Sequence, residues 1–200
     1  MSLRFLGIEA VKTLFDGWNS FHRVTIRTAD ARGSEATVTH SVEAHGEGVA
    51  ILPYDPVRGI TLLVRQLRTP VAFAYGTGIT LEAPCGGRGE YSPVDAARRE
   101  LLEEVGVSPL TIEPIGAGFP MPGVSTELTH LFLASFTNCD RIQGAGGGVH
   151  AEGEVIEIVE MPLRELGVAI ADGRIQDLKA IALFYALKDR RRDLFSKSAS

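Results

Sequence analysis

The sequence has little cysteine, no excess of positive charge and no long uninterrupted apolar run. Only Cys85 and Cys139 occur among 200 residues, and neither belongs to a Cys/Cys or Cys/His spacing that binds zinc. So few thiols favour a reduced, cytoplasmic protein over one built on disulfides. The formal net charge of -5 speaks against nucleic-acid or acidic-membrane binding. Polar residues interrupt every apolar run, which predicts neither a signal peptide nor a membrane helix.

The composition is that of an ordinary globular protein. It is 44% hydrophobic and 22% charged, and 200 residues suffice for one domain, or one domain with a small appendage. An acidic protein that handles anionic phosphates needs a metal ion or local arginines to neutralise them. Any phosphate-handling function of this chain must meet that requirement.

The pattern of residues 1–44 predicts a small antiparallel β unit. Alternating apolar and polar residues predict strands at 21–27 and 37–42, and residues 30–33 form a turn signal between them. A unit with so little apolar area of its own is expected to pack on a neighbour such as a second subunit. We therefore interpret it as a dimerisation unit ahead of a main domain at 45–200.

The main domain mixes strands and helices, which predicts an α+β fold or an αβα sandwich. The glycine-rich segment 144–148 is expected to be a flexible loop, because it has almost no side chains to order it. Strands are predicted at 48–53, 60–66, 79–82, 111–118, 128–136 and 155–160, and helices at 93–105, 162–171 and 175–193.

The helix at 93–105 has clear signals at both ends. Ser92 is a good N-cap, Pro93 is a favoured first helical residue, and Gly106 stands where a left-handed C-terminal cap belongs. At about 100° per residue, Glu100, Glu103 and Glu104 share one face. The apolar residues on the other face are Val94, Leu101, Leu102 and Val105. We therefore expect the helix to bury the apolar side and to present the carboxylates on the other.

Three neighbouring carboxylates repel one another, and a divalent cation would remove that cost. Oxygen-only ligands select a hard ion, Mg²⁺ or Mn²⁺, over zinc. The alternative for a bare Glu-x-x-Glu-Glu is a solvated charged helix face. The glycine-rich turn before the helix, and Arg99 placed to hold a glutamate, favour the metal site.

Residues 86–107 resemble the Nudix box, whose final part is matched by Arg-Glu-Leu-Leu-Glu-Glu-Val-Gly-Val at 99–107. The front of the box departs from the pattern, because it is one residue short: the usual mid-box glutamate falls on Ser92, with Glu90 nearby. The segments 65–68, 81–82, 122–127, 146–149 and 152–154 are similar to the nucleoside-diphosphate-sugar branch, which includes ADP-ribose, GDP-mannose and UDP-glucose pyrophosphatases.

The resemblance implies a role for particular residues. Metal ligands would be Glu100, Glu103, Glu104 and the backbone carbonyl of Cys85. Catalytic residues would be Glu154 as general base, Glu152 as the second choice, and Glu104. Substrate contacts would come from Arg68, which would hold a phosphate or the terminal sugar, and from Glu82 and Glu127. His150 is the alternative base, and Cys85 is not favoured as a nucleophile.

The resemblance also implies a fold and an activity. The fold would be a Nudix αβα sandwich with a mixed sheet. The activity would be Mg²⁺-dependent hydrolysis of a nucleoside diphosphate sugar, with ADP-ribose or GDP-mannose as substrate, to a nucleoside monophosphate and a sugar phosphate. The protein would be a homodimer without nucleic-acid or membrane partners. The alternatives are a Nudix-fold sensor that binds a nucleotide sugar without cutting it, and a nucleoside triphosphate pyrophosphatase.

Overall fold

The computed structural model describes residues 2–149 and 155–196. The chain divides into two compact units. The first comprises the described residues up to Gly46 together with Phe119–Leu128. The second comprises Glu47–Gly118 and the described residues from Thr129 onward.

The first unit is a three-stranded antiparallel sheet in the order β1-β2-β3, formed by Arg4–Asp16, Ser20–Ala29 and Glu35–Ala44. The sequence predicted β2 and β3 but not β1. Register shifts at three places in the β1–β2 ladder interrupt the strict alternation of β1, and alternation is the signal on which strand prediction depends.

Phe119–Leu128 also belongs to the first unit, although it is distant in sequence. The amide N–H of Glu43 donates to the Val124 carbonyl at 2.8 Å, and the Thr126 amide donates to the Glu43 carbonyl at 3.0 Å. The sequence had not assigned this segment to the N-terminal unit, because no local pattern marks it as a partner of β3.

The second unit is built on a seven-stranded mixed sheet. Its strands are β4 (Gly48–Asp55), β5 (Ile60–Leu67), β6 (Ile79–Glu82), β7 (Cys85–Gly87), β8 (Thr111–Gly118), β9 (Thr129–Ser135) and β10 (Glu157–Pro162). The order is β10-β5-β4-β9-β8, with β6 paired to β5 and β7 paired to β4. The β4–β9 pair is parallel and the other pairs are antiparallel.

In the described residues, four α-helices accompany this sheet: α1 (Thr69–Tyr75), α2 (Pro93–Val105), α3 (Leu163–Ala171) and α4 (Leu178–Arg190). The last three were predicted within a few residues. The first was not, because its seven residues are too few to show a helical period. In the described part of the chain, no helix combines the length and the apolar character needed to cross a membrane.

Helices cover both faces of the sheet, which confirms the predicted αβα sandwich. Alternate residues of β4 point to opposite faces, so Val49 and Ile51 pack in one core while Ala50 and Leu52 pack in the other. Helix α2 contributes Leu101 to the first core. Helices α3 and α4 contribute their buried apolar residues to the second.

The divergence of β4 and β5 creates the place where the candidate site forms. The two strands pair at Tyr54 and Asp55, next to their connecting turn. Farther along, β5 pairs with β6 and β4 pairs with β7, so the link from Glu82 to Cys85 lies between them. The Pro84 carbonyl accepts a hydrogen bond from the Ile51 amide at 2.9 Å, which fixes this link to the centre of the sheet.

Candidate active site

Helix α2 has the ends that its sequence predicted. The hydroxyl of Ser92 accepts a hydrogen bond from the Asp95 amide at 3.2 Å. Gly106 adopts the left-handed conformation, with φ of 66°, and its amide bonds to the last-turn carbonyls of Leu101 and Leu102. Local capping therefore fixes where the helix begins and ends, and so the helical turn on which each glutamate lies.

The prediction that the glutamates occupy the exposed face of α2 is wrong for two of the three. Glu100 is 7% exposed and Glu104 is 3% exposed, whereas Leu102, predicted to be buried, is 39% exposed. Glu103 remains partly exposed. The helix turns its Glu100–Glu104 edge toward the sheet, and that burial is tolerated because protein groups hydrogen-bond the carboxylates.

Arg99 holds two of these carboxylates, as predicted. Its guanidinium donates to Glu100 Oε1 at 2.6 Å and to Glu103 Oε2 at 3.0 Å. It also donates to the carbonyl of Gly87 at 2.8 Å. One arginine thus connects the helix to the glycine turn that precedes it.

Gly86 gives Glu100 the space that its carboxylate occupies. A Cβ atom built on Gly86 would lie 2.3 Å from Glu100 Oε1 and 2.4 Å from its Cδ, far inside van der Waals contact. A glycine is therefore required here by close packing of a carboxylate against the backbone, and its φ angle is not in the left-handed region.

Glu104 is hydrogen-bonded to the residue that precedes Gly86. Its Oε2 accepts the backbone N–H of Cys85 at 2.8 Å. Burial raises the pKa of the Cys85 thiol to about 12, so the side chain remains a neutral thiol at physiological pH. This supports the view that the Cys85 side chain is not a nucleophile.

Arg68 and Glu82, both predicted as substrate contacts, form a bidentate ion pair. Arg68 Nε donates to Glu82 Oε1 at 2.8 Å and Nη2 donates to Oε2 at 2.7 Å, while the Thr80 hydroxyl donates to Oε1 at 2.6 Å. Burial works to raise the pKa of Glu82, but the hydrogen bonds from Arg68 outweigh it, and the pKa lies below its ordinary value. The hydrogen bonds to Glu82 also raise the pKa of Arg68.

Lys179, which the sequence pattern did not single out, lies in the same ionic cluster. Its ammonium is 2.7 Å from Asp177 Oδ1 and 3.7 Å from Glu82 Oε2. Burial works to lower its pKa, but the nearby carboxylates of Asp177 and Glu82 outweigh it and raise the pKa. A signal was available, because a lysine in the first turn of α4 opposes the helix dipole and needs a nearby acid.

Asp177 joins the cluster to the rest of the fold. Its carboxylate caps α4 by accepting the amides of Lys179 and Ala180, and it also accepts the amide of Ala83, each at 3.2 Å. The start of α4 is thereby fixed beside the Glu82–Cys85 link.

The glycine segment 144–148, expected to be a flexible loop, is docked on the end of α2. The amide of Gly147 donates to the Glu104 carbonyl at 2.9 Å, and the amide of Gly148 donates to the Glu103 carbonyl at 3.0 Å. These hydrogen bonds satisfy two carbonyls that a helix end leaves unpaired. Glycine serves here for close backbone approach to the helix, and the flexibility of the loop stays a prediction.

The remaining predicted residues lie in the first compact unit or outside the described residues. Glu127 belongs to the first compact unit, where its amide bonds to the Ser125 hydroxyl at 3.1 Å. Glu152, Glu154 and the alternative base His150 lie outside the described residues, so their roles stay predictions.

The carboxylates of α2 have the donor chemistry of a hard divalent ion. Glu100 and Glu104 are buried, and carboxyl oxygens are the only metal-ligating atoms of their side chains, which suits Mg²⁺ or Mn²⁺. Within residues 2–149 and 155–196, no three acidic, histidine or cysteine side chains are already spaced to hold an ion. Arg99 occupies Glu100 and Glu103 instead, so an ion would have to share or displace those bonds.

The NUDIX domain family matches residues 44–184, a range that contains α2, the glycine turn and the ionic cluster. The chain therefore belongs to the Nudix family. It is a Nudix hydrolase, as the glutamate helix predicted, and Nudix hydrolases generally use divalent metal ions.

Relatives within the family extend over nearly the whole chain. A GDP-mannose pyrophosphatase of Pectobacterium atrosepticum is 34% identical over 180 residues, covering 89% of this chain and 91% of the relative. One from Yersinia enterocolitica is 33% identical over 185 residues, covering 92% and 94%. The crystal structure of an ADP compounds hydrolase superimposes with a TM-score of 0.70 over 96% of both chains, at 17% identity, which confirms the fold.

Proposed function

We propose that the protein hydrolyses the pyrophosphate bond of a nucleoside diphosphate sugar to a nucleoside monophosphate and a sugar phosphate. GDP-mannose is the first candidate substrate, since relatives of that activity match about nine-tenths of the chain. ADP-ribose is the second, from the sequence resemblance. The observation that carries the proposal is the complete set Glu100, Glu103 and Glu104 with Arg99 holding two of them.

The metal proposed is Mg²⁺, with Mn²⁺ as a substitute. Glu100, Glu103, Glu104 and the carbonyl of Cys85 would hold it, and a bound divalent ion supplies charge neutralisation and activation of water. Arg99 orients Glu100 and Glu103, and the Cys85 amide orients Glu104. The glutamates are therefore held near one another before substrate arrives, and an ion that binds them must share or displace the bonds from Arg99.

The ionic cluster contains two cations, each already paired with a carboxylate, that lie near the proposed metal ligands. Arg68 and Lys179 carry raised pKa values and so remain cationic beside the carboxylates. We propose that Arg68 contacts a phosphate or the terminal sugar, with Glu82 and Glu127 as further substrate contacts. Glu154 is proposed as the base that removes a proton from the attacking water, with Glu152 as the alternative, and Glu104 as the third catalytic carboxylate.

The test is a hydrolysis assay with GDP-mannose, ADP-ribose and UDP-glucose, each with Mg²⁺ and with Mn²⁺, in which the released phosphomonoesters are quantified. We expect GDP-mannose or ADP-ribose to give the highest kcat/KM. A nucleoside triphosphate pyrophosphatase would instead release inorganic pyrophosphate from a triphosphate. Tight binding of a nucleotide sugar without product would indicate the sensor.

Variants separate catalysis from folding. Glu103→Gln and Glu104→Gln should each remove nearly all metal-dependent turnover while leaving the far-UV spectrum unchanged. The control is Glu113→Gln, since Glu113 is exposed in a surface ion pair with Arg190 and should keep full activity. Full activity of either α2 variant would contradict the metal assignment. Glu154→Gln and Glu152→Gln decide between the two bases by their loss of kcat.

We also propose that the protein is a cytoplasmic homodimer and that its first unit forms the subunit contact. Exposed apolar side chains on β1 support this, among them Phe5 at 65%, Ile8 at 63% and Val11 at 57% exposure. Exposure of this kind in consecutive parts of one strand is typical of a protein contact surface.

A further inference from the structure

The docked glycine loop, residues 144–148, meets α2 at the two residues whose side chains are proposed metal ligands. Gly147 and Gly148 donate their amides to the carbonyls of Glu104 and Glu103. The Gly147 carbonyl in turn accepts the amide of Ile156 at 3.2 Å. The backbone of Glu104 is thus linked through Gly147 to the chain that enters β10.

The approach of the two backbones is close enough to require glycine on both sides. A Cβ on Gly146 would lie 2.8 Å from the amide nitrogen of Gly106 and 3.0 Å from the carbonyl carbon of Val105. A Cβ on Gly106 would lie 2.5 Å from the Ala145 carbonyl oxygen. The loop therefore reaches the helix end through a glycine-to-glycine contact.

We propose that Gly146 is a positioning residue for the metal-binding carboxylates. It acts through Gly147 and Gly148, whose amides hold the backbone of Glu104 and Glu103 and so set where their side chains point. The inference rests on the proposed function, because it treats these glutamates as metal ligands. It assigns to the loop a role in the metal site itself, separate from any motion toward substrate.

The chain offers a matched pair of variants. Gly146→Ala and Gly144→Ala both place a side chain at a left-handed φ, 91° and 79° respectively. A Cβ at Gly144, however, meets nothing within 4 Å. Both variants therefore carry the backbone strain, and only Gly146→Ala pushes the loop from the helix end.

The first experiment measures Mn²⁺ binding without substrate, then kcat and KM with GDP-mannose and Mg²⁺ well below the unfolding temperature. We expect Gly146→Ala to weaken Mn²⁺ binding and to lower kcat, each about tenfold or more, with KM changed little. Gly144→Ala should stay within about twofold of wild type in both. If both variants lose only thermal stability, the loop is merely structural and the proposal is overturned.

A second experiment uses the unaltered protein, so it does not depend on the variant folding. If the amides of Gly147 and Gly148 and the metal ligands are coupled, Mn²⁺ must slow hydrogen exchange at those two amides, by about tenfold if the coupling is of ordinary size. Unchanged exchange at saturating Mn²⁺ would refute the inference. Mn²⁺-dependent protection without turnover of any nucleotide sugar would leave the positioning role standing and reject the proposed substrate class.

Discussion

Replacing Gly86 with alanine tests the close contact between the glycine turn and Glu100. The new Cβ would lie 2.3 Å from Oε1, 2.4 Å from Cδ and 2.6 Å from Oε2 of that carboxylate. Because Glu100 is buried, the carboxylate cannot swing into solvent without moving the helix or breaking its bond to Arg99.

The size of the effect follows from the distances. Contact between nonbonded heavy atoms is comfortable from about 3.5 Å, so the Glu100 carboxylate must retreat by about 1 Å. Overpacking of this kind costs about 1–3 kcal/mol of folding free energy. A displacement of about 1 Å at a catalytic group lowers the rate about 10²-fold. A 10²-fold loss of rate corresponds to about 2.7 kcal/mol of transition-state free energy, so the substitution should affect turnover at least as much as it affects folding.

The assay compares Gly86→Ala with Gly87→Ala. A Cβ on Gly87 meets nothing within 4 Å and its φ is not in the left-handed region, so this neighbour controls for the loss of a glycine from the same turn. We expect Gly86→Ala to lose about 10²-fold in kcat and Gly87→Ala to stay near wild type. Both are measured by phosphomonoester release from GDP-mannose and by thermal unfolding.

A double variant identifies the cause. Shortening the side chain in Gly86→Ala/Glu100→Asp removes the atoms in contact with the new Cβ, so it should recover thermal stability without recovering activity. Full activity in Gly86→Ala, or equal losses in the two glycine variants, would refute the steric argument.

Three further predictions concern titration, reactivity and assembly. The pKa of Glu82 in the folded protein lies below its ordinary 4.5, so the stability that ionised Glu82 gives to the fold is complete above pH 4.5 and disappears as pH falls through the folded pKa. Glu82→Gln should therefore flatten the loss of thermal stability below pH 4.5, and an unchanged slope would show that the pair with Arg68 contributes nothing to stability. Because the Cys85 thiol has a pKa of about 12 and Cys139 is exposed, iodoacetamide at neutral pH should modify Cys139 first, as mass spectrometry of peptides would reveal. Faster labelling of Cys85 would contradict its raised pKa. Sedimentation of the wild-type protein at micromolar concentration should give twice the chain mass, and the variant Phe5→Asp, altered on the exposed strand β1, should give the single-chain mass. A wild-type protein that sediments as a monomer would contradict the proposed dimer.

Local signals predicted the parts of the fold that depend on neighbours in sequence. The ends of α2 were predicted because Ser92 and Gly106 form their capping bonds within a few residues. β1 was missed because its register shifts hide the alternation of apolar residues. The strand order could not be obtained from such signals, since the pairing of β4 with β9 joins segments about 80 residues apart.

The candidate site was predicted in its residue types and not in its packing. Helical spacing placed Glu100, Glu103 and Glu104 near one another, but it assigned the whole set to a solvent-exposed face. Two of them are buried because a backbone amide at Cys85 and the space at Gly86 accept carboxylates there. Helical periodicity shows which face of a helix is apolar, but it gives no information about hydrogen-bond partners or free space on other elements.

The carboxylate of Asp177 has a consequence for how the enzyme is made. It accepts the Ala83 amide across 94 positions of the chain, so the Glu82–Cys85 link acquires its last backbone partner only when α4 is present. During synthesis, Glu100 and its neighbours emerge well before the segment that completes their surroundings. Because α4 follows α2 and the described strands in the chain, catalytic competence should appear only once α4 has been made and has docked.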